Sequence, residues 1–438
     1  MLCSRFLKDR RGGVAPMFAL AIIPVIGFVG ASVDYSRANS IKVGMQAALD
    51  ATALAMAKLA PTLTPGELQA KTTAYFNAMF KHADAKNMVV TPSFTTSGGS
   101  QLTISAATSM DTAFMKLMGY SNLDIKSAST VKWGNSRLRV ALVLDNTGSM
   151  ASAGKMDALK TATNGLLTQL KNAATTNGDV YVSIIPFVKD VNVGASNYSA
   201  SWIDWSDWDK NNGSCSKGKG VKNYSDCMLE NGNPAWTPAS HDTWNGCVTD
   251  RGSSTTPTGQ DYDTNADAPG STASSKFSAE QYGSCPQPVM PLSYNWSSMT
   301  TLVNGMSPAG NTNQAIGLAH GWMSLVGGGP YPAPPAKDPN YTYNQVIILL
   351  TDGLNTQNRW FTNQASIDAR QAMTCANVKA AGITVYTIQV NTGGDPTSTL
   401  LQSCASTSDK FFLVTSSSGI GAIFNQIGTN LARLRISS

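Results

Sequence analysis

Val140-Ala141-Leu142-Val143-Leu144-Asp145-Asn146-Thr147-Gly148-Ser149-Met150 is the stretch that decides the fold. Its first five residues are apolar and bounded by turn residues, the pattern of a short strand buried on both faces. The carboxylate of Asp145 and the hydroxyls of Thr147 and Ser149 then fall at i, i+2 and i+4. They converge on one point if the chain turns sharply off the strand end. Hard oxygens in that arrangement suit a small hard cation such as magnesium, which takes oxygen ligands and keeps several waters. The same residues also make an ordinary strand-to-helix turn, with Ser149 capping the helix that follows.

Two later stretches weigh against the plain turn. Thr312 lies in Ala309-Gly310-Asn311-Thr312-Asn313, just before a helical pattern over 314–325. A second all-apolar run, 346–350, leads into Thr351-Asp352-Gly353. Strands are expected at 140–144, 180–186, 346–350, 384–390 and 411–415, and helices at 155–171, 314–325, 363–381 and 420–434. That alternation predicts an α/β domain with a doubly wound, mostly parallel sheet. In such a sheet both strand ends face one edge, and ligands bind in the crevice outside it.

Together the three pieces resemble the metal-ion-dependent adhesion site of von Willebrand factor type A domains: Asp-x-Ser/Thr-x-Ser, a distant Thr, and Thr-Asp-Gly after a later strand. The resemblance implies a site of Asp145, Thr147, Ser149, Thr312 and Asp352 that holds Mg2+, or Mn2+ or Ca2+ in its place. It also implies one coordination position open to an Asp or Glu carboxylate from a partner protein. The type A domain is expected over 136–438, interrupted by an insertion over 190–300.

Composition narrows the function. Charged residues are 13% of the 438 and the formal net charge is only +5, which is no footprint for nucleic acid. The three histidines, His82, His241 and His320, are too scattered for a zinc site or a His-based triad. Asp-x-Thr-Gly also begins an aspartic-protease loop, but that chemistry needs a second copy, which Thr351-Asp352-Gly353 is not. No general base accompanies the five oxygen ligands, so the chain is not expected to be an enzyme.

Of seven cysteines, Cys3 stands apart and six follow residue 200, with no Cys-x-x-Cys among them. An even set in a polar, loop-rich region predicts disulfides and an oxidising compartment. Cys375 is expected to pair with Cys404, and Cys215, Cys227, Cys247 and Cys285 among themselves, although six cysteines allow fifteen connectivities.

At the N-terminus Arg5, Lys8, Arg10 and Arg11 precede an uncharged run over 14–33, about the twenty residues a membrane-spanning helix needs. Basic residues before the span put residues 1–13 in the cytoplasm and everything after Asp34 outside. Gly30-Ala31-Ser32 would also serve as a signal-peptide cleavage site, but helical character continues past it through the Ala-rich stretch around 46–55. The block from Gly12-Gly13-Val14 through Asp34-Tyr35-Ser36-Arg37 to Gln46–Ala55 is similar to the N-terminus of TadE/TadG-like pilus assembly proteins. These are inner-membrane components of bacterial tight-adherence (Flp) pili. Prepilin-like members carry a Glu shortly after the processing glycine. Here Ala15-Pro16-Met17-Phe18 stands in that place, so a retained anchor is expected.

Residues 34–135 read as a neck. A helix opens at Thr64-Pro65-Gly66-Glu67, and alternating stretches over 88–132 make a small strand-containing subdomain. The insertion carries four cysteines and Trp202, Trp205, Trp208, Trp236, Trp244 and Trp296. Aromatics at that density form either a recognition surface or the interior of a small stapled lobe, and the second reading is preferred. Asp261-Tyr262-Asp263-Thr264-Asn265-Ala266-Asp267 alternates oxygens like a calcium loop but has Ala266 where the turn needs Gly, so it reads as a polar loop. A Pro-rich loop at 330–335 is expected near the metal edge.

The expected protein is therefore a single-pass, inner-membrane pilus assembly or adhesion factor with its type A domain in the periplasm or at the cell surface. Its partners would be pilus or secretion components. The other reading of the same residues is a structural scaffold whose metal only staples three loops.

Overall fold

The computed structural model describes residues 14–96, 100–133, 136–174, 176–252, 261–339 and 341–436. The basic segment 1–13, with Cys3, lies outside them. The chain divides into two compact units, 1–135 and 136–438.

The first unit opens with one long helix, α1 (Val14–Ala57), which contains Pro24. Residues 17–57 are apolar enough to include a membrane span, and the span window is largely unburied within the protein. Beyond Asp34 the helix becomes amphipathic in practice. Ile41, Met45, Leu49 and Ala53 are buried against α2 (Pro65–Met79) and an antiparallel sheet of β1 (Lys86–Thr95), β2 (Ser100–Asp111) and β3 (Asn122–Trp133). Thr64 and Glu67 form a reciprocal capping box at the start of α2.

Among the described residues the second unit is built on a sheet of ten strands, with a separate two-stranded pair, Gly213–Cys215 and Trp236–Pro238, in the insertion. Its centre is parallel: β13 (Phe411–Val414), β12 (Thr384–Val390), β11 (Thr342–Thr351), β4 (Ser136–Asp145) and β5 (Val180–Phe187), in that order. These strands are apolar on both faces because both faces are covered. Val140, Leu142 and Leu144 pack toward α3 (Lys155–Ala173), α4 (Trp296–Gly305) and α8 (Gly419–Ile436). Ala141 and Val143 pack with α5 (Gln314–Val326), α6 (Gln364–Ala380) and α7 (Thr399–Cys404). A Cβ on Gly321 of α5 would come within 2.5 Å of Val143, so glycine sets how closely that helix approaches the sheet. The doubly wound, mostly parallel architecture read from the sequence is the one observed.

The insertion adds to this sheet. Short strands β6 (Val191–Asn192), β8 (Cys247–Thr249), β9 (Phe277–Ala279) and β7 (Ile203–Asp204) continue it past β5, while β10 (Met290–Ser293) pairs antiparallel with β5. Disulfides join Cys215–Cys227, Cys247–Cys285 and Cys375–Cys404. Trp208 and Trp244 are fully buried and Trp205 stacks on His241, so much of the tryptophan serves the interior of the lobe. The acidic loop is used internally. Asp261 and Asp263 pair with Arg370 of α6, and Arg251 binds the carbonyls of Tyr262, Asn265 and Asp267.

One expectation is corrected. The Pro-rich loop does not lie at the metal edge: Pro335 accepts a hydrogen bond from Arg139, near the start of β4, at the opposite edge of the sheet. Helix α5 carries the chain from one edge to the other.

Candidate metal centre

Strands β4 and β11 are parallel neighbours with Leu144 beside Leu350, so Asp145 and Asp352 emerge together at the carboxyl ends. Asp145 is fully buried. Its Oδ1 accepts from the Thr147 N–H (2.8 Å) and hydroxyl (2.6 Å). Its Oδ2 accepts from the Thr351 hydroxyl (2.7 Å) and, at 3.4 Å, from the Asp352 N–H. Thr147 Oγ1 lies 3.0 Å from Ser149 Oγ, and Ser149 Oγ donates to Asp352 Oδ1 at 2.6 Å. Two hydroxyls thus link the two carboxylates in one chain. Burial, and after it the nearby Asp352 charge, pushes the Asp145 carboxyl up to about 6.

Ser149 does not cap the following helix. It lies in a separate 3-10 turn, Gly148–Ala151, and α3 starts at Lys155 after Gly154. The first residue of α3 returns to the site: the Lys155 ammonium pairs with Asp352 Oδ2, and both side chains are buried. That oxygen accepts no hydrogen bond of normal geometry.

The third loop is held by backbone. Gly148 N–H donates to Gly310 O (3.0 Å), Ala309 N–H to Asn146 O (2.9 Å), and the Asn146 side chain to Ser307 O (2.7 Å). Thr312 is buried beside this contact. Its N–H donates to Thr356 Oγ1 (2.8 Å) and its carbonyl accepts from the Thr356 N–H (2.9 Å). The Thr312 hydroxyl takes no part in the Asp145–Asp352 chain. Asn313 caps α5 and its amide donates to Asp250 of the insertion. The backbone N–H and guanidinium of Arg359 reach the same Asp250, which ties the insertion to the two later loops.

The structure therefore joins Asp145, Thr147, Ser149 and Asp352 directly and sets Thr312 in the adjoining loop. Thr351, Lys155, Thr356 and Asp250 also build the site. Only Thr351 is signalled locally, as the first residue of Thr351-Asp352-Gly353. His320 is no part of it: it is buried, bonded to the Tyr331 hydroxyl at 2.8 Å, and held down to about 3 by burial, so it stays neutral.

The residues fit a hard divalent cation. The donors are all oxygens, Asp145 and Asp352 repel each other, and Asp352 Oδ2 is buried with an ammonium as its close neighbour. Among the described residues no three His, Cys, Asp or Glu side chains cluster for a metal, so hydroxyl and water oxygens would have to complete the shell.

The sheet and its strand-end loops define a von Willebrand factor type A domain, and residues 264–426 match the model of that family. Residues 12–58 match the family described as putative Flp pilus-assembly TadE/G-like. The chain thus joins a TadE/G-like N-terminal segment to a C-terminal type A domain. The type A match begins inside the insertion; β4 and β5, which precede it, belong to the same sheet as the strands within the match.

Among solved structures, the pilus adhesin SpaC of Lactobacillus rhamnosus GG in its open conformation is 13% identical, with a TM-score of 0.38. That match covers 82% of this chain but only 35% of SpaC. The von Willebrand domain of the type V pili tip protein Mfa5 of Porphyromonas gingivalis is 9% identical over 67% of this chain and 95% of that one, with a TM-score of 0.37. The PilB minor pilin of Streptococcus sanguinis is 12% identical over 81% and 80%, with a TM-score of 0.34. Comparison with curated proteins returned no match.

Proposed function

We propose that this chain is a membrane-anchored pilus assembly or adhesion factor. Its type A domain binds a partner protein's Asp or Glu through a divalent metal held by Asp145, Thr147, Ser149, Thr312 and Asp352. The observation that carries the reading is the chain of hydroxyls linking two buried carboxylates across the ends of β4 and β11. Hydroxyl oxygens have lone pairs to offer a cation as well as protons to donate. Mg2+, with Mn2+ or Ca2+ as substitutes, would supply a Lewis-acidic position at which an incoming carboxylate binds. The partner is a pilus or secretion component, in keeping with the TadE/G-like segment. The basic residues before α1 support a cytoplasmic N-terminus and a type A domain in the periplasm or at the surface.

The same residues serve a scaffold reading, in which the metal only staples loops. Backbone bonds already tie the Gly148 loop to Gly310 and Thr312 to Thr356, so a staple has less to add than a ligand position does.

The test is a pull-down from host membrane extract with intact protein and Asp145→Ala, each with and without chelator. A pilus or secretion component retained only by intact protein with metal supports recognition at the edge. The same partner retained under all four conditions would reduce the metal to a staple.

A further inference from the structure

The turn between β2 and β3, residues 112–121, carries a run of apolar side chains that the neck does not cover. Leu117 is 83% exposed, Tyr120 62%, Met118 53% and Phe114 40%. The turn lies against α1 at the helix's most apolar part. Phe114, Leu117 and Met118 share a groove with Ile23, Ile26 and Phe28. A Cβ on Gly30 would come within 2.4 Å of Phe114, and one on Gly27 within 3.6 Å of Met118. The missing side chain decides the packing at Gly30, where it lets the turn approach the helix closely; at Gly27 the spacing is ordinary van der Waals contact.

A polypeptide turn in contact with lipid must satisfy its own backbone, and this one largely does. The Asp34 carboxylate, buried at the foot of the turn, accepts from the N–H groups of Ala113 (2.9 Å), Phe114 (2.8 Å) and Met115 (2.8 Å). Leu117 N–H donates to Phe114 O, Gly119 N–H to Lys116 O, and Tyr120 N–H to Met115 O. Thr112 closes the base by donating to the carbonyls of Tyr120 and Ser121. Lys116 and Tyr120 are side chains that pair an apolar body with a polar tip, as residues at a membrane interface do.

We propose that residues 112–121 form a second membrane contact. The turn inserts as a short wedge beside α1, with Phe114, Leu117 and Met118 among the acyl chains of the leaflet on the neck's side. The inference rests on the reading of 14–33 as a membrane span. Lipid is the occupant because the groove is continuous with that span. Its contacts begin at Ile23, near the middle of a 20-residue segment that is about 30 Å long.

The experiment uses the full chain with Cys3→Ser, carrying one environment-sensitive fluorophore on Leu117→Cys, Phe28→Cys or Leu54→Cys. The variants are reconstituted in phosphatidylcholine–phosphatidylglycerol vesicles, with or without nitroxide-labelled lipid. Leu54 is exposed on α1 well past the span and serves as the wet control. The expected result is that the labels at 117 and 28 both shift to the blue and lose roughly half their emission to nitroxide lipid, while both resist aqueous iodide. If 28 responds to lipid and 117 is quenched by iodide, the wedge is overturned and the anchor stands. A label at 117 shielded from both quenchers would put protein there instead, which also overturns the proposal. If 28 itself is wet, the anchor reading fails.

Discussion

The type A unit buries two acid clusters, and they differ in what neutralises them. At the strand ends Asp145 and Asp352 are bridged by the hydroxyls of Thr147 and Ser149, with Lys155 on Asp352. Where the insertion joins the sheet, Asp190 and Asp250 are also buried. There Lys189 pairs with Glu280 and lies 3.6 Å from Asp190, while Asp250 accepts from the Asn313 amide and the Arg359 backbone. Burial first, and then the Glu280 charge, holds the Asp190 carboxyl well above its usual range. Ammonium, guanidinium and N–H donors have no lone pair to give a cation; hydroxyls do. At the junction no chain of hydroxyls joins one acid to the other, and both Asp190 oxygens are buried without a hydrogen-bond partner; at the strand ends Thr147 and Ser149 make such a chain, so that cluster is the one proposed to take a metal.

The largest effect expected from this difference is on metal-linked stability. With free Mg2+ at a thousand times its dissociation constant, binding stabilises a folded protein by about 4 kcal/mol. Asp145→Ala and Asp352→Ala should lose that increment, measured as the Mg2+-dependent rise in Tm. Asp250→Ala should lower stability yet keep the increment. A Mg2+ response that vanished in Asp250→Ala and survived in Asp145→Ala would reverse the assignment of the two clusters.

Next comes pH. Both Asp145 and Asp250 are raised to about 6, in each case by burial first, then by Asp352 and Asp263 respectively. The folded state therefore binds these protons more tightly than the unfolded state does. Their contribution is fully present below about pH 4 and is lost as pH rises through 6. Holding a carboxyl near 6 instead of near 4 makes this loss about 3 kcal/mol for each group. A bound cation holds Asp145 ionised, so Mg2+ should remove its share and leave that of Asp250. Denaturant unfolding between pH 4 and 7 should show the curves in Mg2+ and in chelator diverging by about 3 kcal/mol, the Asp145 share, because the other shifted groups, buried His320 among them, titrate alike in both. Equal slopes would mean that the strand-end cluster does not take the metal.

How much of this could be read from the chain depends on range. The central strands are buried on both faces and so appear as unbroken apolar runs, and Asp145-x-Thr147-x-Ser149 is local. The short strands β6 to β10 have too few residues for periodicity to register. They form because the β5 edge gives them a template. Thr356 and Asp250 reach the site only through tertiary contacts with Thr312 and Asn313. The Pro-rich loop sits at the edge opposite to the expected one because closeness in sequence to Thr312 says nothing about the thirteen residues of α5 between them, a helix about 20 Å long.

The two lysines provide the finest test of the comparison. Lys155 places its ammonium on Asp352 Oδ2, one of the oxygens a cation would draw on, so charge repulsion opposes metal as long as the pair persists. Lys155→Met keeps the length and apolar stem of the side chain and removes the competitor. Mg2+ affinity by calorimetry should then rise about tenfold, roughly 1.4 kcal/mol. Stability in chelator should fall, because breaking a buried pair leaves an uncompensated carboxylate. Lys189→Met makes the matching change at the junction and should leave Mg2+ affinity unchanged, since its partners Glu280 and Asp190 are no part of the Asp145–Asp352 chain. If Lys155→Met bound Mg2+ no more tightly than the parent, the ammonium would not compete with the cation. Lys155 would then only anchor α3, and the two lysines would no longer distinguish the strand-end cluster from the junction.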